Sequence, residues 1–391
     1  MPDARRRKTR TGTPGSRNQG NTLGKNTDGP STGPKATFGK PTLLISAALT
    51  GIIIFLYAWS GHFKPGDSTI QESPLKKHEA YLTHDATSPF FVTDLPGRGK
   101  GLLASRDIKQ GERVLREKPL FVVPRQISSS PTALIAESLG ELNQDEQDAF
   151  FNLSYVHFPQ HLDPTKHRDQ VALAIFQTNA VAAGDGVGIF PRMARINHGC
   201  SSAFNVVYTW REKEEALYVH ALKPISKGEE LLTSYTNSKR SRHHRRAFLA
   251  EHYGFECECS VCSLPKEESE ASDERLEAIS EAYERLASWG QGRINGADAI
   301  AHVRKIWQLE DEEGYWSERG RLAADGAWVA AAHSDVAATR EWAQIAVEWY
   351  SYEVGADSEQ VEEMRQVALQ PEGHSAWGTH RRLDVGGMYP V

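Results

Sequence analysis

Two stretches decide how this 391-residue chain folds: Arg195-Ile196-Asn197-His198-Gly199-Cys200 and Cys257-Glu258-Cys259-Ser260-Val261-Cys262. The chain has four cysteines, and these stretches hold all of them. Three thiols within six residues can grip one small ion from a single turn of chain. A structural zinc takes four ligands and leaves no open position. Cys200, Cys257, Cys259 and Cys262 therefore make a closed four-thiolate set, which suits a metal better than a disulfide ladder. The first stretch also puts an amide and an imidazole, Asn197 and His198, next to a metal ligand. A polar pocket and the metal are thus expected to share one strand.

Three further segments add to this. Gly228-Glu229-Glu230-Leu231-Leu232-Thr233-Ser234-Tyr235 ends a strand in a tyrosine, and Tyr253-Gly254-Phe255 runs straight into the cysteine cluster. Gly97-Arg98-Gly99-Lys100-Gly101-Leu102 is a glycine-rich turn feeding another strand. Such a turn is weak evidence by itself. Taken singly, Tyr235 and Tyr253 also fit as core aromatics, His198 as a satisfied structural histidine and Asn179 as a turn residue. The set in order is harder to explain as coincidence.

Charge and periodicity divide the chain. Residues 1–41 carry nine Lys/Arg against Asp3 and Asp28 and have few large apolar side chains, the composition of a disordered basic tail. Leu43 to Trp59 is nearly all apolar and predicts a transmembrane helix over 42–60, followed by a polar linker over 61–88. Short β-type runs then begin near Pro89. Phe204–Trp210 and Leu217–Leu222 predict a hairpin. Ile108-Lys-Gln-Gly-Glu and Ile225-Ser-Lys-Gly-Glu look like one turn solution used twice. Between the β groups, Leu134, Leu139, Leu142 and Phe150 have helical spacing and predict a helical insert over about 125–170. Residues 266–391 hold 12 basic against 25 acidic residues and predict a helical-repeat-like lobe. The basic run Lys239–Arg246 is expected on a helix ending at Gly254, with Phe248 and Leu249 inward and the charges solvated, so nucleic acid is not the expected partner.

In this order the motifs resemble the SET domain: a glycine-rich start, an Asn-His-x-Cys segment, a Gly-Glu-Glu strand ending in tyrosine, and a Cys-x-Cys-x-x-Cys tail, covering about residues 89–264. The insert and the helical lobe resemble the SET and MYND subgroup of protein-lysine methyltransferases. No cysteine lies between Pro124 and Gln177, so the MYND zinc finger is absent and fungal relatives without it fit best. The resemblance implies an α+β fold: a SET β-fold of small sheets over 89–236 with the helical insert, a zinc-binding post-SET segment over 237–265, and the C-terminal lobe. The N-terminal single transmembrane helix would precede it.

The resemblance further implies S-adenosyl-L-methionine as methyl donor, with Arg98, Lys100, Asn179, Asn197, His198 and Phe255 lining its site. Tyr235 stands at the family's active-site tyrosine and Tyr253 in the lysine channel. A protein or peptide lysine, histones included, is the implied substrate. The membrane is expected as a second partner, with the catalytic domain facing cytosol or nucleus. The alternative is a catalytically silent SET-fold binding module or a membrane-tethered scaffold. The chain departs from the family pattern where Cys200-Ser201-Ser202-Ala203 replaces Cys-x-Pro-Asn and Gly199 replaces a usual serine. The residue types suit the chemistry, because a sulfonium methyl is already activated and in-line attack by an amine needs positioning and desolvation. An aromatic channel lowers the pKa of the entering ammonium and so supplies the neutral nucleophile.

Overall fold

The structure, a computed structural model, describes residues 70–74, 87–126 and 129–389. The expected basic tail, the apolar stretch 42–60 and most of the expected linker lie outside them. The first hairpin joins β1 (Phe90–Leu95) to β2 (Gly99–Ala104), with Leu95 opposite Gly99. Gly97 and Gly99 both have positive φ, which is what lets three residues close the loop. Next come β3 (Arg113–Glu117) and β4 (Val122–Pro124).

The insert follows as α1 (Pro131–Glu141), α2 (Gln144–Phe151) and α3 (Arg168–Asn179). Helix α2 starts on a reciprocal capping box between Asn143 and Glu146. Phe150, Phe151, Ile175 and Phe176 form the insert's own core. β5 (Val181–Ala183) and β6 (Gly186–Gly188) complete a three-stranded sheet with β4 at the far edge.

The short strand β7 (Asn197–His198) later pairs in parallel with β10 (Leu232–Thr233). Between them β8 (Val206–Arg211) and β9 (Ala216–Ala221) form the expected hairpin, and β3 adds to the other edge of β9. β9 is buried at every position because it is the central strand. The two similar turns pair with each other. Ile108 and Ile225 exchange N–H···O bonds of 2.9 Å in both directions, and each turn has its glycine, Gly111 or Gly228, at positive φ.

α4 (Arg242–Tyr253) ends at Gly254 in the left-handed conformation, a common helix stop. The lobe comprises α5 (Lys266–Ala287), α6 (Gly296–Glu313), α7 (Arg319–Ala332), α8 (Val336–Tyr350) and α9 (Glu359–Leu369). Trp342 of α8 is wholly buried against Gly326 of α7, where a Cβ would fall 2.7 Å from the indole. The lobe meets the β core at several polar points. Ser201 Oγ donates to the buried Glu313 (2.7 Å), and Lys223 Nζ donates to Ser202 O (2.7 Å) and Gly314 O (2.8 Å). On another side Arg211 donates to Val354 O (2.7 Å) and pairs with Asp357 (2.6 Å).

The membrane expectation is corrected. No helix among the described residues is long and apolar enough to cross a membrane. α5 has the length, but eleven of its 22 residues are charged. The transmembrane helix placed over 42–60 falls on residues the structure does not describe, and the architecture, membrane partner and membrane-anchored location built on it are withdrawn. The basic run also differs from expectation. Arg245 is 1% exposed and paired with Asp273, and Lys239 is buried against Glu318 and the rings of Tyr283 and Tyr315. Part of that charge is therefore structural and not solvated.

Candidate active site

A cavity of about 300 Å³ opens between the first hairpin, the segment 193–198, the end of α3 and the cysteine tail. Arg98, Lys100, Asn179, Asn197, His198, Tyr235, Tyr253 and Phe255, separated by up to 157 positions in sequence, all line it. Local structure explains how each is held. Glu117, on β3 and buried, accepts the backbone N–H groups of Arg192 and Met193 at 2.9 Å each, which fixes the chain entering the 193–198 segment. The Asn197 carboxamide donates to Lys100 O (3.3 Å) and Glu230 Oε1 (3.0 Å), and the other oxygen of Glu230 pairs with Arg98 (2.5 Å). One carboxylate thus sets two cavity residues. Gly101 sits beneath this group, where a Cβ would lie 2.4 Å from Leu95 Cδ1 and 3.0 Å from Asn197 Nδ2. Asn179 Nδ2 donates to Ser154 O (2.7 Å) and Ile175 O (2.8 Å). Lys100 pairs with Asp94 (3.2 Å).

His198 has its tautomer fixed by geometry. The Tyr235 backbone N–H donates to Nδ1 (3.0 Å), so Nδ1 is bare and the proton sits on Nε2, facing Cys200 Sγ at 3.1 Å. Burial pushes the imidazole down to about 4, which keeps it neutral. Tyr235 donates its hydroxyl to Ile196 O (2.6 Å), and its ring lies 4.9 Å from that of Tyr253. Burial raises both phenols well above their ordinary range. Tyr208, on β8, also lines the cavity and is pushed up to about 12 by burial. Three neutral phenols can therefore surround an entering amine without removing its proton themselves.

The four cysteine sulfurs lie within 4.8 Å of one another, with Cys200 and Cys262 at 3.6 Å. A tetrahedral zinc with Zn–S of about 2.3 Å needs sulfur separations of about 3.8 Å, so the set fits such an ion. Without a cation the thiols must share protons unequally: hydrogen bonds from Cys200, Cys257 and Cys262 hold Cys259 low, while Cys200 is driven up by the other three. A divalent ion makes all four thiolates compatible. The buried Arg245 guanidinium stands beside them; burial disfavours its charge, but Cys200, Cys262 and Asp273 together outweigh that burial and hold it protonated. The protein thus offers a counter-charge to a four-thiolate centre.

The departure at 199–203 has a structural reason. Ser201–Ala203 form a short 3-10 turn with Ser201 at φ 41°, and this brings the backbone of Ala203 and Phe204 to 3.0 Å from a Cβ placed on Gly199. A serine side chain has little room there. Asn205, two residues past Ala203, joins the turn to the Gly-Glu-Glu strand by donating to Glu230 O (2.9 Å) and accepting from Leu232 N–H (2.8 Å).

Sequence reasoning missed Tyr208, Glu230 and Ile70. Tyr208 shares strand parity with the buried Val206, a signal available in the alternation of β8. Glu230 lies within the Gly-Glu-Glu segment, but its partners Arg98 and Asn197 come from other segments. Ile70 sits in a segment expected as linker.

Residues 99–236 match the SET domain family. The chain thus carries a segment similar to the SET domain, in keeping with S-adenosylmethionine-dependent protein-lysine methyltransferase activity. It is related to proteins of the SET and MYND type. It is 29% identical over 292 residues to the histone-lysine N-methyltransferase set5 of Schizosaccharomyces pombe, covering 74% of this chain and 86% of that protein. It is 28% identical over 118 residues to the human histone-lysine N-methyltransferase SMYD3, covering 28% of this chain and 27% of that protein. The structure of Rubisco LSMT bound to AdoMet aligns over 86% of this chain at 14% identity with a TM-score of 0.31.

Proposed function

We propose that the cavity binds S-adenosylmethionine through Arg98, Lys100, Asn179, Asn197, His198 and Phe255, and admits a lysine side chain between Tyr235 and Tyr253. The observation that carries this is the double contact of His198, which ties the Tyr235 backbone to Cys200 and so makes pocket and metal centre one unit. Cys200, Cys257, Cys259 and Cys262 would hold zinc, whose contribution when bound is to fix the tail bearing Phe255 and not to take part in methyl transfer. The buried phenols line the channel with oxygens and aromatic faces that favour the positive charge near the reacting methyl. Burial beside them lowers the pKa of the lysine ammonium and leaves it neutral for attack. The substrate we infer is a basic protein segment, histones included, in keeping with the acidic balance of residues 266–391. Within the SET and MYND type we place the chain with fungal proteins lacking the MYND finger.

Titration calorimetry of the full chain with S-adenosylmethionine tests the cofactor, and mass spectrometry of basic peptides and histones after incubation tests turnover. Binding followed by a 14-dalton mass increase on lysine is expected from the mass of a methylene group. A silent binding module is the second reading, favoured by the altered turn at Ser201–Ala203 next to the metal ligand. It predicts cofactor binding and zinc content with no product on any substrate.

A further inference from the structure

Ile70 reaches the cavity from outside the segment that matches the SET family. Ser154, Thr178 and Asn179 line the same cavity. Ile70 is not a loose end. The Gln71 N–H donates to Tyr155 O (2.7 Å), and the Tyr155 N–H donates back to Gln71 O (2.9 Å), an antiparallel bridge. Ser73, two residues on, is 4% exposed, and Tyr155 is 1% exposed and packed edge-on against Phe158. The residue before Tyr155 is Ser154, whose carbonyl accepts from Asn179. The same short loop therefore anchors Ile70 and orients a cavity asparagine.

A singly exposed isoleucine is ordinary on a protein surface. Ile70 differs because two backbone bonds fix its position at a cavity wall while 53% of it remains open to solvent. Covering that surface with a ligand removes apolar area from water, and the anchoring means little ordering cost is left at binding. We propose that Ile70–Pro74 is a strap forming part of the cofactor site's outer wall, with Ile70 as an apolar contact to bound S-adenosylmethionine. Its anchoring loop puts the strap on the Asn179 side of the cavity, which assigns it to the cofactor and not to the lysine. The inference rests on the cofactor proposed above and extends the site beyond the matched family segment.

The test uses the full chain carrying Ile70→Ala, Ile70→Asp or Gln71→Pro, the last removing the N–H that bonds Tyr155. Calorimetry with S-adenosylmethionine, thermal melting and the KM for a lysine-bearing substrate peptide are read together. Ile70→Asp is expected to weaken cofactor binding about tenfold and Ile70→Ala about threefold, with melting temperature and peptide KM unchanged. If Gln71→Pro fails to fold, the two Ile70 variants still decide the matter. Cofactor affinity within about twofold of the unaltered chain in Ile70→Asp overturns the strap. A raised peptide KM at unchanged cofactor affinity also overturns it, by moving Ile70 to the substrate. Absence of cofactor binding in the unaltered chain is a different result and sinks the functional reading itself.

Discussion

Tyr235 makes two contacts of different kinds, its backbone N–H to His198 and its hydroxyl to Ile196 O. Tyr235→Phe removes only the second. We expect kcat to fall about tenfold or more while S-adenosylmethionine affinity stays within about twofold, measured by single-turnover kinetics beside calorimetry. A parallel fall in affinity would make the hydroxyl a cofactor-site prop. Glu353 gives a pH-dependent outcome. Burial pushes its carboxyl from 4.5 up to about 8, against the Gly320 N–H that it accepts at 3.2 Å. Its folded pKa is raised, so the stability it contributes is fully present below pH 4.5 and lost as pH rises through about 8. Glu353→Gln should match the unaltered chain near pH 5 and be the more stable of the two at pH 8, by a margin of order 1–4 kcal/mol. Urea titrations at the two pH values measure it, and a gap that does not change with pH counts against the buried acid. At this scale the residues within contiguous motifs were legible in the sequence. Tyr208 and Glu230 were not assigned, because their partners Tyr235, Tyr253, Arg98 and Asn197 come from other segments.

Among the elements, the turn Ser201–Ala203 is where the chain departs from the Cys-x-Pro-Asn pattern and also one of the places where the lobe takes hold. Glu313 at the end of α6 accepts from Ser201 Oγ (2.7 Å) and Ser272 Oγ (2.7 Å) and pairs with Arg275 (2.9 Å). Glu313→Ala leaves two hydroxyls and a guanidinium without their acceptor and should cost about 2–4 kcal/mol of stability, seen as a lower urea midpoint. Ser201→Ala, which removes one donor from a site that retains two, should cost about 1 kcal/mol. If the two variants destabilise equally, the carboxylate is not the centre of the cluster. The turn itself was readable as a departure. Its consequence was not, because Glu313 lies 112 positions away and no periodicity links it to Ser201. The repeated Ile-x-x-Gly-Glu turns show the same limit. Local chemistry gave each turn, whereas the Ile108–Ile225 bridge between them depends on β3 and β9 being neighbours.

For the whole molecule, the site takes its residues from the first hairpin, the insert's end, β7, β8, the segment just beyond β10 and the cysteine tail. The apolar stretch at 42–60 was the least informative long signal, since hydropathy alone supported a span and nothing in the described structure gives it a context. If the four cysteines hold a metal, a chelator should release the tail containing Phe255 and weaken cofactor binding about fivefold, with tail opening followed by hydrogen exchange over 255–264. Persistent protection of that segment in metal-free protein would separate the tail's order from the metal.

The imidazole of His198 touches both halves of the site at once, bonding the backbone of Tyr235 on one nitrogen and the sulfur of Cys200 on the other. In thermodynamic terms a metal held by the four cysteines and a methyl donor bound in the cavity would be linked ligands, and linkage is reciprocal: whatever the metal adds to the affinity for S-adenosylmethionine, the donor must return to the metal. The full chain should therefore hold its metal more tightly against a competing chromophoric chelator at equilibrium when saturated with S-adenosylmethionine, by about fivefold for a coupling of about 1 kcal/mol. The concentration of methyl donor would then help to set what fraction of the protein keeps its ion.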